Sequence, residues 1–168
     1  MKYQRFEDLP VWQSAIEFAV CAFALTARSC FRGNGDLRGQ LQRAALSISN
    51  NIAEGFERGT TQELLTFLYI SRGSAGESRS MLCFIEKVPA FDDFKSEISD
   101  LKLRAENISR QLRGWAESLQ NSDIKGTRYL TDKVPRKSQS DRERQEFVEQ
   151  LRRVTEENIA RNQSKAAK

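Results

Sequence analysis

The sequence predicts an all-α protein: an antiparallel, up-down-up-down four-helix bundle with a C-terminal linker and an extra helix. Three observations predict it. Apolar residues recur at intervals of three and four through four long segments. Turn and capping residues separate those segments by short connections, so successive helices run in opposite directions. Phe94, Ile98, Leu101, Ala105, Ile108, Leu112, Trp115 and Leu119 form an unbroken a/d series. Such a series favours left-handed packing at a crossing angle of about 20°.

The first helix is expected over about Leu9 to Phe31, with Asp8 as N-cap and Pro10 in its first turn. A proline costs little there, because its missing N–H has no intrahelical acceptor anyway. Leu9, Trp12, Ile16, Ala19, Phe23, Thr26 and Cys30 form one stripe. Val11, Ala15, Phe18, Ala22 and Leu25 form another on a different side. A surface helix of a monomer shows one apolar stripe. Two stripes imply burial on both sides, with a second copy of the chain as the expected cover. Burial within the core alone is the competing reading.

The apolar run Ala15 to Ala27 contains Ala22-Phe23-Ala24, which looks like a signal-peptide cleavage site. Glu17 interrupts the run, and Lys2 and Arg5 are offset by Glu7 and Asp8. The run is also shorter than the roughly 20 residues a membrane span needs. A cytoplasmic protein with no membrane partner is expected.

Gly33-Asn34-Gly35 reads as a turn, with Asp36 capping a second helix over about Leu37 to Phe56. The stretch Gln40 to Arg58 organises the chain. Leu37, Leu41, Ala45, Ile48 and Ile52 share one side of it. Ala44, Ser47, Asn51 and Gly55, all small or polar, share the neighbouring side, where another helix can come close. The helix should stop between Gly55 and Gly59.

Thr60 and Glu63 make a capping-box pattern for a third helix, about Thr61 to Val88, just before Pro89. Its centre is small: Ser71, Gly73, Ser74, Ala75, Gly76 and Ser78. Mid-helix glycine costs about 1 kcal/mol relative to alanine. Close approach of the second helix is the expected compensation. Asp92 or Asp93 should cap the fourth helix, about Asp93 to Leu119.

The bundle is therefore expected to occupy residues 1–120. Residues 121–140 read as a linker containing Gly126 and Pro135, with Tyr129-Leu130 as an anchor onto the bundle. Ser140 and Glu143 make another capping box for a last helix over about Asp141 to Ala160, within a segment 141–168. Phe147, Leu151 and Val154 form one narrow face there, too weak to hold itself without a docking surface. Asn162 to Lys168 is expected to be disordered. No internal repeat occurs.

Composition excludes much chemistry. Histidine is absent, which removes the commonest general base near neutral pH and the commonest metal ligand. The three cysteines, Cys21, Cys30 and Cys83, have no CxxC spacing and read as reduced thiols. No glycine-rich phosphate cradle appears. No enzyme, catalytic residue, cofactor or metal site is expected. The net charge of +4 sits in the tail, because residues 1–120 carry 15 basic and 15 acidic side chains.

Asn51, Glu54, Ser74 and Glu77 are the polar residues on or near the inner faces. They are expected to form a hydrogen-bonded lock fixing the register of the second and third helices. An unpaired buried polar group costs about 1–3 kcal/mol, so such residues can specify one packing. The competing reading makes Glu54 and Glu77 a carboxylate pair for acid–base or metal work, but no nucleophile or further ligand accompanies them. The candidate nucleic-acid-binding residues are Arg38, Arg43, Arg58, Arg72 and Arg79, with Arg72 and Arg79 on one side of the third helix. Repeated by rotational symmetry, they become a positive ring. Each phosphate neutralised releases counterions, so such binding weakens steeply with salt. Aromatic residues do not interleave with the arginines, so base reading is not expected.

The motifs also carry a resemblance. Phe6-Glu7-Asp8-Leu9 with Trp12-Gln13, Leu41-Gln42-Arg43-Ala44-Ala45, Ser49-Asn50-Asn51-Ile52-Ala53-Glu54-Gly55, and Gly73-Ser74 with Glu77 follow one another along the chain. Over residues 6–120 the sequence resembles the four-helix-bundle proteins encoded by intervening sequences in bacterial large-subunit rRNA genes. That group is similar to the accessory variability protein of diversity-generating retroelements. The resemblance implies a barrel-like homopentamer, nucleic-acid binding and, in the retroelement branch, a reverse transcriptase and its template RNA as partners. The function expected is that of a non-enzymatic, homo-oligomeric, RNA- or DNA-binding accessory protein. The alternative is a protein–protein interaction scaffold without nucleic-acid binding.

Overall fold

The computed structural model describes residues 3–121 and Glu149 of the tail. The chain divides into two units, Met1–Tyr129 and Leu130–Lys168. Apart from Asn121, which caps the last helix of the bundle, and a helical Glu149, the expected linker and C-terminal helix lie outside the described residues.

Four helices make the first unit: α1 (Pro10–Thr26), α2 (Gly35–Glu57), α3 (Thr61–Ile85) and α4 (Lys95–Gln120). No strand occurs among the described residues. Each helix packs on the next in sequence, and α4 closes the ring against α1. The protein is thus an all-α, antiparallel four-helix bundle. Its centre is filled by Phe18 and Leu25 of α1, Leu41, Ile48 and Ile52 of α2, Leu64, Leu68 and Leu82 of α3, and Ile98 of α4. Full burial of such a side chain stabilises by about 1.5–3 kcal/mol, which fixes the spacing read in the sequence as the inward faces. On α4 the buried stripe passes from Leu112 to Ala116, leaving Trp115 half-buried. A straight helix drifts about 20° per heptad from a strict seven-residue repeat, so a long a/d series slides off the core at its end.

Aromatic pairs plug both ends. Phe31, from the connection between α1 and α2, meets Phe91, from the connection between α3 and α4, edge to face at 4.8 Å. Phe6 meets Trp12 at the opposite end, at 5.2 Å.

Three expected N-caps are replaced. Asp8 closes a 3-10 turn, Phe6–Asp8, and Leu9 caps α1 without a side-chain hydrogen bond. Asp36 lies in the first turn of α2, behind Asn34. Asp92 and Asp93 lie inside a 3-10 segment, Pro89–Phe94, so that Phe94 precedes α4. The same tight geometry shortens α1, which ends at Thr26 before the 3-10 turn Ser29–Phe31, and α3, which ends at Ile85. Thr60 does cap α3: its hydroxyl accepts from the Glu63 N–H at 3.2 Å and donates to the Glu63 carboxylate at 2.8 Å.

The close approach of α2 and α3 also differs from expectation. A Cβ on Gly73 or Gly76 would meet nothing within 4 Å, because both face outward. Gly55 makes the approach instead. A Cβ there would lie 2.6 Å from Phe67 Cβ and 3.4 Å from the Leu64 carbonyl.

Candidate nucleic-acid interface

The α2–α3 contact sets the frame. Ser71 Oγ donates to the Ile48 carbonyl at 2.8 Å, and Ser47 Oγ and Ser74 Oγ share a hydrogen bond at 2.9 Å. Asn51 Nδ2 donates to the Ser47 carbonyl at 2.6 Å and to Ser47 Oγ at 2.9 Å. The hydrogen bonds that cross between the helices therefore run through serines. Asn51 joins Ser74 by way of Ser47. Glu54 instead turns to Arg58 at 2.6 Å, and Glu77 lies exposed with no hydrogen-bond or ion-pair partner among the described residues. Ser47 and Ser71 were missed in the sequence because serine in a small-residue stripe reads as spacing rather than as a donor.

The five candidate arginines fall into two groups. Arg58 is held at the exit of α2 by Glu54 at 2.6 Å and Glu63 at 3.9 Å, and its guanidinium sits 5.1 Å from the centre of the Phe67 ring. The Glu54 hydrogen bond raises the Arg58 pKa further, so its charge never varies. Arg79 pairs with Glu106 of α4 at 3.6 Å. Arg38, Arg43 and Arg72 are exposed and have no acidic partner among the described residues. Arg32 shares that condition, and Lys87 is exposed with its charge acting on the neighbouring Glu86 carboxyl; the sequence singles out neither. Both lie at the bundle end where α1 turns into α2 and α3 into α4, the end at which α2 carries Arg38 in its first turn. Asp36 and Asp93 lie at the same end and moderate its field. Only the ion-pair geometry of neighbouring helices separates free cations from tied ones, which a one-dimensional sequence cannot display.

An open groove of about 340 Å³ runs between α2 and α3, lined by Gln40, Arg43, Ala44, Ser47 and Glu77. Arg43 leans back along its helix, close enough that a Cβ on Gly39 would lie 3.1 Å from its guanidinium. Among the described residues no cluster of His, Cys, Asp and Glu could hold a metal ion, and the three cysteines are free.

The architecture and the position of its motifs agree with known proteins. The sequence profile of the 23S rRNA-intervening sequence proteins matches residues 7–114. The chain belongs to that family. The intervening-sequence fold is also seen in a crystal structure of a protein with unknown function from the S23 ribosomal protein family of Bacteroides thetaiotaomicron. The two are 18% identical with a TM-score of 0.57, over 64% of this chain and 98% of that one. At that identity the likeness concerns the fold. Among curated proteins no relative matches this chain. No helix among the described residues of this intervening-sequence protein is long and apolar enough to cross a membrane.

Proposed function

We propose that this intervening-sequence protein is a non-enzymatic, homo-oligomeric accessory protein that binds RNA or DNA through its basic surface. The observation that carries the reading is the freedom of Arg38, Arg43 and Arg72. Most other cations of the bundle, among them Arg28, Lys95, Lys102, Arg104 and Arg113, are tied to carboxylates. A free, exposed guanidinium gives up no ion pair when it meets a phosphate.

Self-association is supported by the outer side of α1 and α2. The second α1 stripe is core, and Leu9, Ala19 and Thr26 of the first are buried in the bundle as well; what stands outside is Phe23 of the first stripe and Leu46 of α2, each 40% exposed, with Val20, from neither stripe, at 64%. Gln42 Nε2 donates to Thr26 Oγ1 at 2.8 Å, which fixes the antiparallel register and brings Phe23 and Leu46 to the same level. Covering that surface with further copies repeats the free arginines around a symmetry axis. Five copies is the number the family resemblance implies, and in its retroelement branch the protein partner is a reverse transcriptase.

The test is fluorescence anisotropy with a labelled single-stranded oligonucleotide at two salt concentrations. Binding is expected to weaken steeply with salt, and the slope of log K against log salt should shrink by about 0.7 for each phosphate contact removed. Arg38→Ala, Arg43→Ala and Arg72→Ala together should flatten it. Absence of binding at low salt overturns this reading. The same apolar surface then favours the second one, a protein–protein scaffold without nucleic-acid binding.

A further inference from the structure

The groove between α2 and α3 contains an unsatisfied pair of opposite charges. Arg43 lies on the α2 wall and Glu77 on the α3 wall of the same groove. The Arg43 guanidinium lies back over Gly39, the two side chains form no ion pair within 4.0 Å, and neither has another charged partner among the described residues. The space between them is floored by Ala44 and Ser47, both too small to fill it. A flat ligand that accepts a hydrogen bond at one edge and donates two at the next would join the walls. The Ser47 hydroxyl is already engaged with Ser74 and Asn51, so the carboxylate and the guanidinium carry the recognition.

Phe84 adds an independent observation. It lies seven residues beyond Glu77, hence on the same line of α3 and about 10.5 Å along it. The residue is 59% exposed. An exposed phenylalanine ring can stack a nucleobase, because every base offers a π-face. The sequence pattern hides it among the apolar residues at the end of α3, which is why base reading is not expected from the sequence alone.

The geometry points to the α2–α3 groove as a subsite for a guanine base of single-stranded nucleic acid, with Glu77 reading the base, Arg43 completing its edge and Phe84 stacking a neighbouring base. Guanine alone among the four bases presents two adjacent N–H donors, at N1 and N2, to a carboxylate, beside the O6 acceptor that a guanidinium can meet. Adenine turns a lone pair toward the position where the carboxylate needs a proton. The inference rests on the nucleic-acid reading above and adds a base preference to it.

The test uses the full chain and labelled uridine 12-mers carrying one central guanine, adenine or inosine. Wild type is expected to bind the guanine oligomer about fivefold more tightly than the adenine one, or better, since a good bidentate contact gives at least that discrimination. Inosine, which lacks the 2-amino group, should fall between them. Glu77→Ala and Glu77→Gln should abolish the preference and leave the salt dependence in place. Phe84→Ala should weaken all three oligomers alike. Glu77 and Phe84 are exposed, so the variants should keep the wild-type helical signal and melting profile. Equal wild-type affinity for guanine and adenine, with binding otherwise intact, overturns the guanine subsite and spares the basic-surface reading. No binding to any oligomer at low salt overturns both.

Discussion

The Ser71 hydroxyl donates to the main-chain carbonyl of Ile48 at 2.8 Å, crossing from α3 to α2 where neither residue touches solvent. That carbonyl also belongs to the helical ladder of α2, so the serine adds a second proton to an acceptor with two lone pairs. One buried side chain thereby fixes the height of α3 on α2.

Ser78 provides the contrast. It is as buried as Ser71, but its hydroxyl has no hydrogen-bond partner among the described residues. Ser71→Ala is expected to lower unfolding stability by about 1 kcal/mol, the net value of a typical hydrogen bond. Ser78→Ala should be neutral or stabilising, because it removes a polar group that was desolvated without return. Urea denaturation of both variants checks the pair. Equal losses would contradict the distinction.

The glycines of α2 and α3 should respond with opposite signs. Gly55→Ala drives a methyl to within 2.6 Å of Phe67 Cβ, and neither backbone can yield without moving a helix. It should cost about 1–3 kcal/mol, as overpacking does, despite alanine's better helix propensity. Gly73→Ala and Gly76→Ala point into open space and should each gain about 1 kcal/mol in the folded subunit. Thermal melts of the three variants read the signs directly.

The Lys102–Glu86 pair, at 2.7 Å, ties α4 to the end of α3 and gives stability a defined pH profile. The Lys102 hydrogen bond is the largest influence holding the Glu86 carboxyl below its ordinary range. The same bond raises the Lys102 ammonium. A carboxyl depressed by folding contributes above its unfolded pKa, and the contribution disappears as pH falls through the folded value. A raised ammonium contributes below its unfolded pKa, and the contribution disappears as pH rises through the folded value. The pair therefore acts through the neutral range and fades in acid and in strong alkali. Lys102→Met should lower the urea midpoint modestly at neutral pH, because the pair is partly solvated. The difference should close as pH falls below the carboxylate range. A difference that persists unchanged into acid would assign the effect to packing of the lysine stem.

Much of this fold was legible from spacing. Leu41, Ala45, Ile48 and Ile52 are buried where the three-four pattern put them, and the second stripe of α1, Val11 to Leu25, is core throughout. The caps were less legible. An aspartate near a helix start signals a helix nearby, but the energies that choose between an α-turn and a 3-10 turn at Asp8 or Asp93 depend on tertiary contacts such as Phe6–Trp12 and Phe31–Phe91. The outward direction of Gly73 and Gly76 was not legible at all, since small size fits a tight contact and an open face equally well. For the candidate site, the sequence supplied the arginines. It could not say that Arg58 and Arg79 are engaged while Arg38, Arg43 and Arg72 are free, nor that Phe84 stands outside the core.

Sedimentation equilibrium of the wild-type chain and of Val20→Asp at micromolar concentration tests the central claim most directly. Val20 is exposed, so a carboxylate there spares the bundle and places charge on the surface where copies are held to meet. The wild type is predicted to sediment as a closed assembly, five times the 19.2 kDa chain, and Val20→Asp as single, fully helical subunits. A well-folded wild type at 19.2 kDa would contradict the account, because without repeated copies the free arginines form no ring.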